Sequence, residues 1–514
     1  MDYSHAAGGE PSFARLFQDQ TGAIVTCGVA QDKRNTMTSM PGTDERFQNC
    51  VTTLRSRGQD HVLRWWEELP DPQRQHLLSE IESIHWDAVE PLVRTHVLSV
   101  PAKVVHSELS PARVHPGRPT PTEAALYEEA KRLGRKFLAE AKVAAFTVAG
   151  GQGSRLGFDG PKGCVTVSPV REKTLFQLFG EMIKAAGERS GVRIPWYVMT
   201  NSAIHEQTVG FLKDHEFFGL NGDDVFLFPQ AMLPVFDYEG KILLSDKHRL
   251  ALAPDGHGGS LKSLVSSEAL RDMQSRGIEI ISYFQVDNPL VKPFDALFIG
   301  LHALTESDMS TKVAAKADDL ERVGNVCLHD DRVTVIEYTD FPEHLARARN
   351  PDGSRRFNVG NLAIHALNVS FVQRIIADTF RLPYHRAEKV TTWMDEHGFL
   401  RTPSRPNSVK VETFVFDALP LARNPLLLEV DRAEEFSPVK NARGVDSVET
   451  SIRDQIRRAA RWLEAAGTSI PRKPDGEPDV TIEIAPSYAL DVEDVKSRVG
   501  YPPTFDPGDT IYIS

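Results

Sequence analysis

Residues 146–162 read Phe-Thr-Val-Ala-Gly-Gly-Gln-Gly-Ser-Arg-Leu-Gly-Phe-Asp-Gly-Pro-Lys. A short apolar run breaks into a glycine loop, an arginine follows, and a proline–lysine pair closes the segment. Gly150, Gly151 and Gly153 leave backbone N–H groups uncovered and let the chain approach phosphate oxygens closely. Arg155 and Lys162 supply charge that a backbone alone cannot. Two common phosphate-binding patterns are excluded. A Walker loop needs Gly-Lys-Ser/Thr, but Lys162 follows Pro161 and precedes Gly163; a dinucleotide fingerprint begun at Gly151 and Gly153 needs a glycine where Leu156 stands. A plain strand-to-helix turn requires neither three glycines nor two cations.

A second string, Tyr283-Phe284-Gln285-Val286-Asp287-Asn288-Pro289-Leu290, ends an apolar strand in a carboxylate. Beside a phosphate site that acid can hold Mg²⁺, a hard cation that shares oxygen ligands with phosphates. A lone Asp more often caps a turn, so the assignment needs the neighbouring motifs.

Composition narrows the class. The 514 residues allow two or three domains, and 59 basic against 71 acidic residues give a net charge of −12. That balance argues against nucleic acid or an anionic membrane as partner, and a phosphate site in such a chain must gather its cations locally. Cys27, Cys50, Cys164 and Cys327 are scattered without a CxxC pair. They read as ordinary thiols of a cytoplasmic protein rather than a zinc or disulfide framework. No signal peptide or membrane-length apolar run is evident.

The elements that must position these residues are legible in the periodicity. Residues 1–44 read as a weakly ordered tail with one short helix near Phe13–Phe17. Residues 45–120 read as a helical region with stripes at Leu54, Val62, Leu63, Trp65, Trp66 and Leu69, then Leu77, Leu78, Ile81, Ile84 and Trp86. Pro70 ends the first stripe, and a proline-rich linker spans 101–121. From 121 to 405 strands and helices alternate: helix 123–138, strand 143–148, a helix capped by Thr174, strand 195–200, a helix opened by Asn201 and Ser202, strand 225–228, helix 261–275 and strand 278–286. Such alternation implies βαβ units in a mixed, mostly parallel sheet, with ligands at the carboxyl ends of its strands. Residues 406–514 read as a C-terminal region with a helix over 448–466, a strand near 480–484 and a small lobe.

Gly-Gly-x-Gly-Ser-Arg-Leu-Gly followed by Pro161-Lys162 resembles the signature loop of the UDP-sugar pyrophosphorylases, and of the UDP-N-acetylhexosamine type in particular. The resemblance runs from about Phe47 to Ala442. It implies a Rossmann-like nucleotide-diphospho-sugar transferase fold, with UTP and a sugar 1-phosphate as the molecules bound. It also implies that Ser154 and the three loop glycines lie on the nucleotide and that Asp287 binds the metal. Uracil needs a donor and an acceptor side by side, which one amide supplies. The family uses a Gln for this, here Gln230, with a glycine turn matching Pro254, Gly256 and His257. Two departures stand out. Pro229 and Ala231 flank the Gln where the family more often has Gln and Gly. His257 stands where N-acetylglucosamine enzymes often carry Asn and UDP-glucose enzymes often carry His. For the sugar phosphate the resemblance implies Gly324, Glu337, Asn361 and the pair Phe414 and Phe416. Residues two apart on a strand share a face, so both rings are expected to line one wall. Glu435-Phe436-Ser437-Pro438-Val439-Lys440-Asn441 matches the family string whose Lys contacts the sugar phosphate.

The chemistry implied is attack of a sugar phosphate oxygen on UTP with release of pyrophosphate. That oxygen is already anionic, so no general base is needed, and no His–Asp or Ser–His arrangement is evident in the sequence. Arg155, Lys162 and Lys440 are the expected catalytic cations. Glucose or galactose 1-phosphate as substrate stays open, and so does the choice between the N-acetylated gluco and galacto epimers. A non-catalytic binding protein is disfavoured by the intact cations. A glycosyltransferase is disfavoured because the strand ends in Asp287-Asn288 rather than Asp-x-Asp.

Overall fold

The structure is a computed structural model that describes residues 42–100, 109–377, 382–498 and 504–514. The expected helix near Phe13–Phe17, Cys27 and residues 101–108 of the expected linker lie outside the described residues. By its contacts the chain divides into residues 1–49 and residues 50–514. Everything from the second helix onward belongs to the larger unit.

The helical stripes at 47–97 form, but not as two long helices. The first helix, Thr43–Ser56, stops before Gly58, whose φ of +66° no helix accommodates. Val62 to Leu69 instead wind as short 3-10 turns. Pro70 is the N-cap of the helix Asp71–Glu82 as well as the end of what precedes it.

Among the described residues ten strands build the central sheet: Leu109–Pro111 (β1), Val143–Val148 (β2), Trp196–Thr200 (β3), Val225–Pro229 (β4), Ile280–Gln285 (β5), Met309–Ala315 (β6), Asn325–His329 (β7), Arg332–Ile336 (β8), Val359–Asn368 (β9) and Leu426–Glu429 (β10). The order is β1-β7-β9-β5-β2-β3-β4, with β8 beside β7, and β6 between β9 and β10. The sheet is mixed. β5, β2, β3 and β4 run parallel, and β9 joins β5 antiparallel. Both faces of β2 are buried, as a strand covered by helices on two sides requires. Phe146 and Tyr283 meet edge to face at 5.5 Å across β2 and β5. Each buried aromatic of this kind contributes about 1.5–3 kcal/mol.

Two helices close over one face at unusually short range. A Cβ on Gly300 of helix Ala296–Leu304 would lie 1.7 Å from the Ala130 carbonyl oxygen, and one on Gly134 of helix Ala124–Ala139 would lie 1.9 Å from that of Ala296. Helix Leu175–Ser190 begins as expected, with the Thr174 side chain accepting from Gln177 N. The helix after β3 starts at His205, later than expected, because Asn201 Oδ1 accepts from Ala203 N and Ile204 N and forms a turn first. The expected helix 261–275 is two helices, Gly259–Ser266 and Ala269–Ser275, broken where Glu268 adopts φ +67°.

The proline-rich stretch is tied to the sheet: β1 pairs with β7, and His115 bridges Leu428. Beyond 440, helix Val448–Ala465 opens on a Ser447–Thr450 capping box. It packs Trp462 and Leu463 with Ile482 and Val495, over the parallel pair Thr481–Ile484 and Thr510–Ile513. Buried Glu483 staples this lobe to the segment downstream of the glycine loop, accepting from Ser168 Oγ, Val170 N and Arg171 N at 2.8–2.9 Å. No helix among the described residues is long and apolar enough to cross a membrane.

Candidate active site

The carboxyl ends of β2, β3, β4 and β5 meet at one edge of the sheet, and each delivers a polar residue there. After β2 the glycine loop folds back on itself. Gly153 N donates to Gly160 O, Lys162 N donates to Gly151 O, and Gln152 bridges Pro161. Gly157, at φ +74°, turns the loop. After β3, Asn201 Nδ2 holds the Gly150 carbonyl at 2.5 Å. After β4, Gln230 is buried and its amide nitrogen donates to Asp255 Oδ1 at 3.3 Å. Gly150 is required here by close approach: a Cβ on it would lie 2.6 Å from Gln230 Oε1. After β5 comes Asp287.

The cations expected from the sequence converge. Lys162 is only 8% exposed, with Nζ 3.9 Å from Asp287 Oδ2. Burial pulls its ammonium below the ordinary lysine value. Asp287 opposes that shift, while the positive charges of Arg155 and Lys440 add to it. Arg155 and Ser154 are exposed on the loop, and Arg155 has no hydrogen-bond or ion-pair partner among the described residues. Lys440 is half-buried, 3.6 Å from Asp446 Oδ2. Its loop is docked against the Asp287 segment: Val439 N donates to the Asp287 carbonyl. Asn288 Nδ2 donates to Glu435 O, and Ser437 N to Asn288 Oδ1. Asn288, expected only as a neighbour of the proposed metal acid, is thus the clasp between two motifs, bonding residues 147 and 149 positions away. Glu435 is itself fixed by Lys312, fully buried, whose Nζ lies 2.6 Å from Glu435 and 2.8 Å from Asp295.

The turn Pro254–Gly259 packs on the strand Ser408–Thr413. Gly256 has φ +84°, and a Cβ there would lie 2.3 Å from Thr413 O. His257 is not a free turn histidine. Its Nδ1 accepts from Val415 N at 3.1 Å, its ring stacks on Phe414 at 5.2 Å, and burial drives it down to about 4. Burial likewise pushes Asp255 up to about 6.

Gly324, Glu337 and Asn361 come together. A Cβ on Gly324 would lie 2.6 Å from Val335 and 3.7 Å from both Asn361 Cβ and Glu337 Oε1. Asn361 sits at a bulge where the β6–β9 register slips between Lys312 and Val313 and Ala363 takes φ +55°, and a bulge re-aims side chains. Burial raises the Glu337 carboxyl above the ordinary range. The Phe414/Phe416 expectation needs correction. The strand ends at Thr413, and Val415–Leu421 is a 3-10 helix, so the two rings do not share a strand face. They still meet, 5.1 Å apart and tilted by 33°, because the tight helical turn returns Phe416 toward Phe414.

Sequence reasoning found no His–Asp arrangement, yet His385 Nε2 lies 2.8 Å from Asp417 Oδ2. Thirty-one residues separate the two in the chain, and only the pairing of Tyr384–Lys389 with Ser408–Thr413 brings them together. The one sequence signal was Asp417 directly after Phe414-Val415-Phe416.

A parallel βαβ half-sheet with a glycine loop, a buried lysine and a carboxylate at adjacent strand ends defines a nucleotidyltransferase-type site. The sequence profile of the UTP–glucose-1-phosphate uridylyltransferase family matches residues 79–504, and the chain belongs to that family. It is 36% identical over 468 residues to UDP-N-acetylhexosamine pyrophosphorylase-like protein 1 of Homo sapiens, covering 85% of this chain and 92% of that protein. It is 32% identical over 431 residues to the UDP-N-acetylglucosamine pyrophosphorylase of Saccharomyces cerevisiae, covering 80% and 90%. The fold matches the crystal structure of the uridine diphosphate N-acetylglucosamine pyrophosphorylase from Trypanosoma brucei in complex with inhibitor. That match has a TM-score of 0.77 at 23% identity, over 93% of this chain and 99% of that one.

Proposed function

We propose that the chain is a uridylyltransferase that converts UTP and N-acetylglucosamine 1-phosphate into UDP-N-acetylglucosamine and pyrophosphate. The observation that carries this reading is buried Lys162, with Asp287 at 3.9 Å and the charges of Arg155 and Lys440 in its field. A buried ammonium with one carboxylate at 3.9 Å and two further cations in its field is poised for an anionic ligand that compensates its charge. Family membership and the names of the relatives support the same reaction.

In that reaction a phosphate oxygen of the sugar phosphate attacks the α-phosphorus of UTP, and the bond from that phosphorus to the oxygen bridging to the β-phosphate breaks. Pyrophosphate leaves with the electron pair, and no proton must move. Arg155 and Lys162 neutralise the α-phosphate and the departing pyrophosphate. Lys440 guides the incoming phosphate. Gln230 and the Pro254–Gly259 turn hold uracil, while Gly150, Gly151, Gly153 and Ser154 line the phosphates. Asp287 fits Mg²⁺: it is a single carboxylate at a strand end, and such an ion draws its other ligands from phosphates and water. When bound, that ion would supply charge neutralisation between phosphate oxygens.

Gly324, Glu337, Asn361, Phe414 and Phe416 form the sugar pocket. Gly324 admits no side chain, since a Cβ there would strike Val335 at 2.6 Å, and the preference for the N-acetylated sugar rests on the names of the relatives. His257 was the counter-signal for glucose 1-phosphate. Its ring is engaged by Val415 N and by two phenylalanines, so it belongs to the wall rather than to sugar choice. Cys164 and Cys327, pushed up to about 12 by burial, suit inert thiols in the cytoplasm. The test is pyrophosphate release with UTP, Mg²⁺ and a panel of sugar 1-phosphates. The expected substrate is N-acetylglucosamine 1-phosphate. Release with glucose 1-phosphate alone refutes the sugar assignment, and release with none refutes the enzyme.

A further inference from the structure

His385 and Asp417 have no part in the reaction just described, yet they stand directly behind its sugar wall. The His385 ring lies against Phe414 with centroids 4.4 Å apart and planes at 28°. Phe414 continues to His257 at 5.2 Å and 25°. A three-ring stack therefore runs from the base-binding turn through the sugar wall to the His385–Asp417 pair. Asp417 N donates to the Phe414 carbonyl at 3.1 Å, so one turn of backbone links the acid to the ring's residue.

Three carboxylates face His385: Asp417 from the 3-10 helix, and Glu337 and Asp340 from the segment after β8. Two other imidazoles face it as well, His257 from the turn and His96 from the N-terminal helical region, with Arg386 next in its own strand. Burial opposes protonation of His385, but Asp417 and the other two acids outweigh it and hold the ring above the ordinary imidazole value. Conversely, His385 is the largest influence keeping the Glu337 carboxyl from rising further.

We propose that His385 is a positioning residue of the sugar site: hydrogen-bonded to Asp417 and stacked on Phe414, it braces that ring and presents its imidazole to the Glu337 side of the pocket that receives the sugar hydroxyls. This rests on the sugar pocket assigned above. The mechanism is local, since an imidazolium attracts an aromatic face and stabilises a nearby carboxylate. The sign follows. The positive charge is complete below the raised value and is lost as pH rises through it, so sugar phosphate binding weakens on the alkaline side while UTP binding does not.

Two measurements on the full chain test this. In histidine-labelled protein, with the His385 resonance identified by its absence in His385→Gln, His385 should titrate above the ordinary imidazole value, and at lower pH in Asp417→Asn than in wild type. In steady-state assays with UTP and N-acetylglucosamine 1-phosphate, His385→Gln should raise the KM for the sugar phosphate about tenfold while the KM for UTP and kcat stay within about twofold. The alkaline fall in kcat/KM for the sugar phosphate should vanish in that variant and move to lower pH in Asp417→Asn. Titration of His385 at or below the ordinary value overturns the proposal, and so does a parallel rise in both KM values. An active wild type with unchanged sugar KM in His385→Gln overturns the proposal alone. A wild type that releases no pyrophosphate overturns the functional reading and the proposal with it.

Discussion

On the nucleotide side of the cleft, Arg155 has no partner among the described residues, and the nearest carboxylate to Lys162 stands 3.9 Å away. On the sugar side and beneath it, charges are paired at contact distance: Lys312 at 2.6 and 2.8 Å from two acids, His385 at 2.8 Å from Asp417. The rings there are stacked. In the function proposed, the nucleotide half holds charge in reserve for a ligand that brings three phosphates. The proposed sugar half has its charges paired and its rings packed, as suits recognition of a hydroxylated ring by shape and a few fixed acceptors. Lys440 stands between the two regimes, 3.6 Å from Asp446 and half-exposed, consistent with the role proposed for it toward the incoming phosphate.

The contrast predicts that substitutions on the two sides fail in different ways. Phe416 is 3% exposed and belongs to a main core cluster. Phe416→Ala should cost about 3–5 kcal/mol in urea denaturation, with sugar affinity lost as a consequence. A Phe416→Ala protein of wild-type stability would show that the sugar wall is not packed core. Lys162→Ala should do the reverse. Turnover should fall about 10²–10³-fold, while the melting temperature holds or rises, since the change relieves a buried, poorly compensated charge. A matching loss of stability would erase the distinction between the halves.

Asp255 sharpens the comparison through pH. Burial raises it from 3.8 to about 6, so over that window the folded chain holds a proton the unfolded chain has released. Stability then falls as pH rises through the window. Asp255→Asn keeps the shape and removes the titration. Relative to wild type it should gain about 2–3 kcal/mol between pH 4 and pH 7, read from denaturation at each pH. Gly150→Ala is the smallest of the four. Its Cβ would press on Gln230 Oε1 at 2.6 Å, and the clash should weaken UTP binding by about 1–3 kcal/mol in calorimetry, leaving sugar phosphate binding alone.

What the sequence made legible divides along the same line. The loop at 150–162, the strand ends at Gln230 and Asp287 and the cap at Thr174 are local features, and each formed where the spacing of residues placed it. Gly324, Glu337 and Asn361 were reachable only through the family resemblance, since nothing in their local spacing brings β7, β8 and β9 to one pocket. The docking of the Lys440 loop by Asn288, the triad around Lys312 and the His385–Asp417 pair were not legible. Each joins residues far apart in the chain, through pairings that only the folded sheet defines. The Phe414/Phe416 pair lay between these cases. Alternation suggested a strand face, but Pro420 and the Asp417-Ala418 turn favour a helical twist, and the rings meet by that route instead.

The most direct test of the central claim is a crystal structure of the protein with a non-hydrolysable UTP analogue and Mg²⁺. The triphosphate should lie on the backbone of Gly150–Ser154, with Arg155 and Lys162 on its oxygens and the uracil edge on Gln230. Nucleotide density in another cavity, with Lys162 still turned to Asp287 alone, would contradict it.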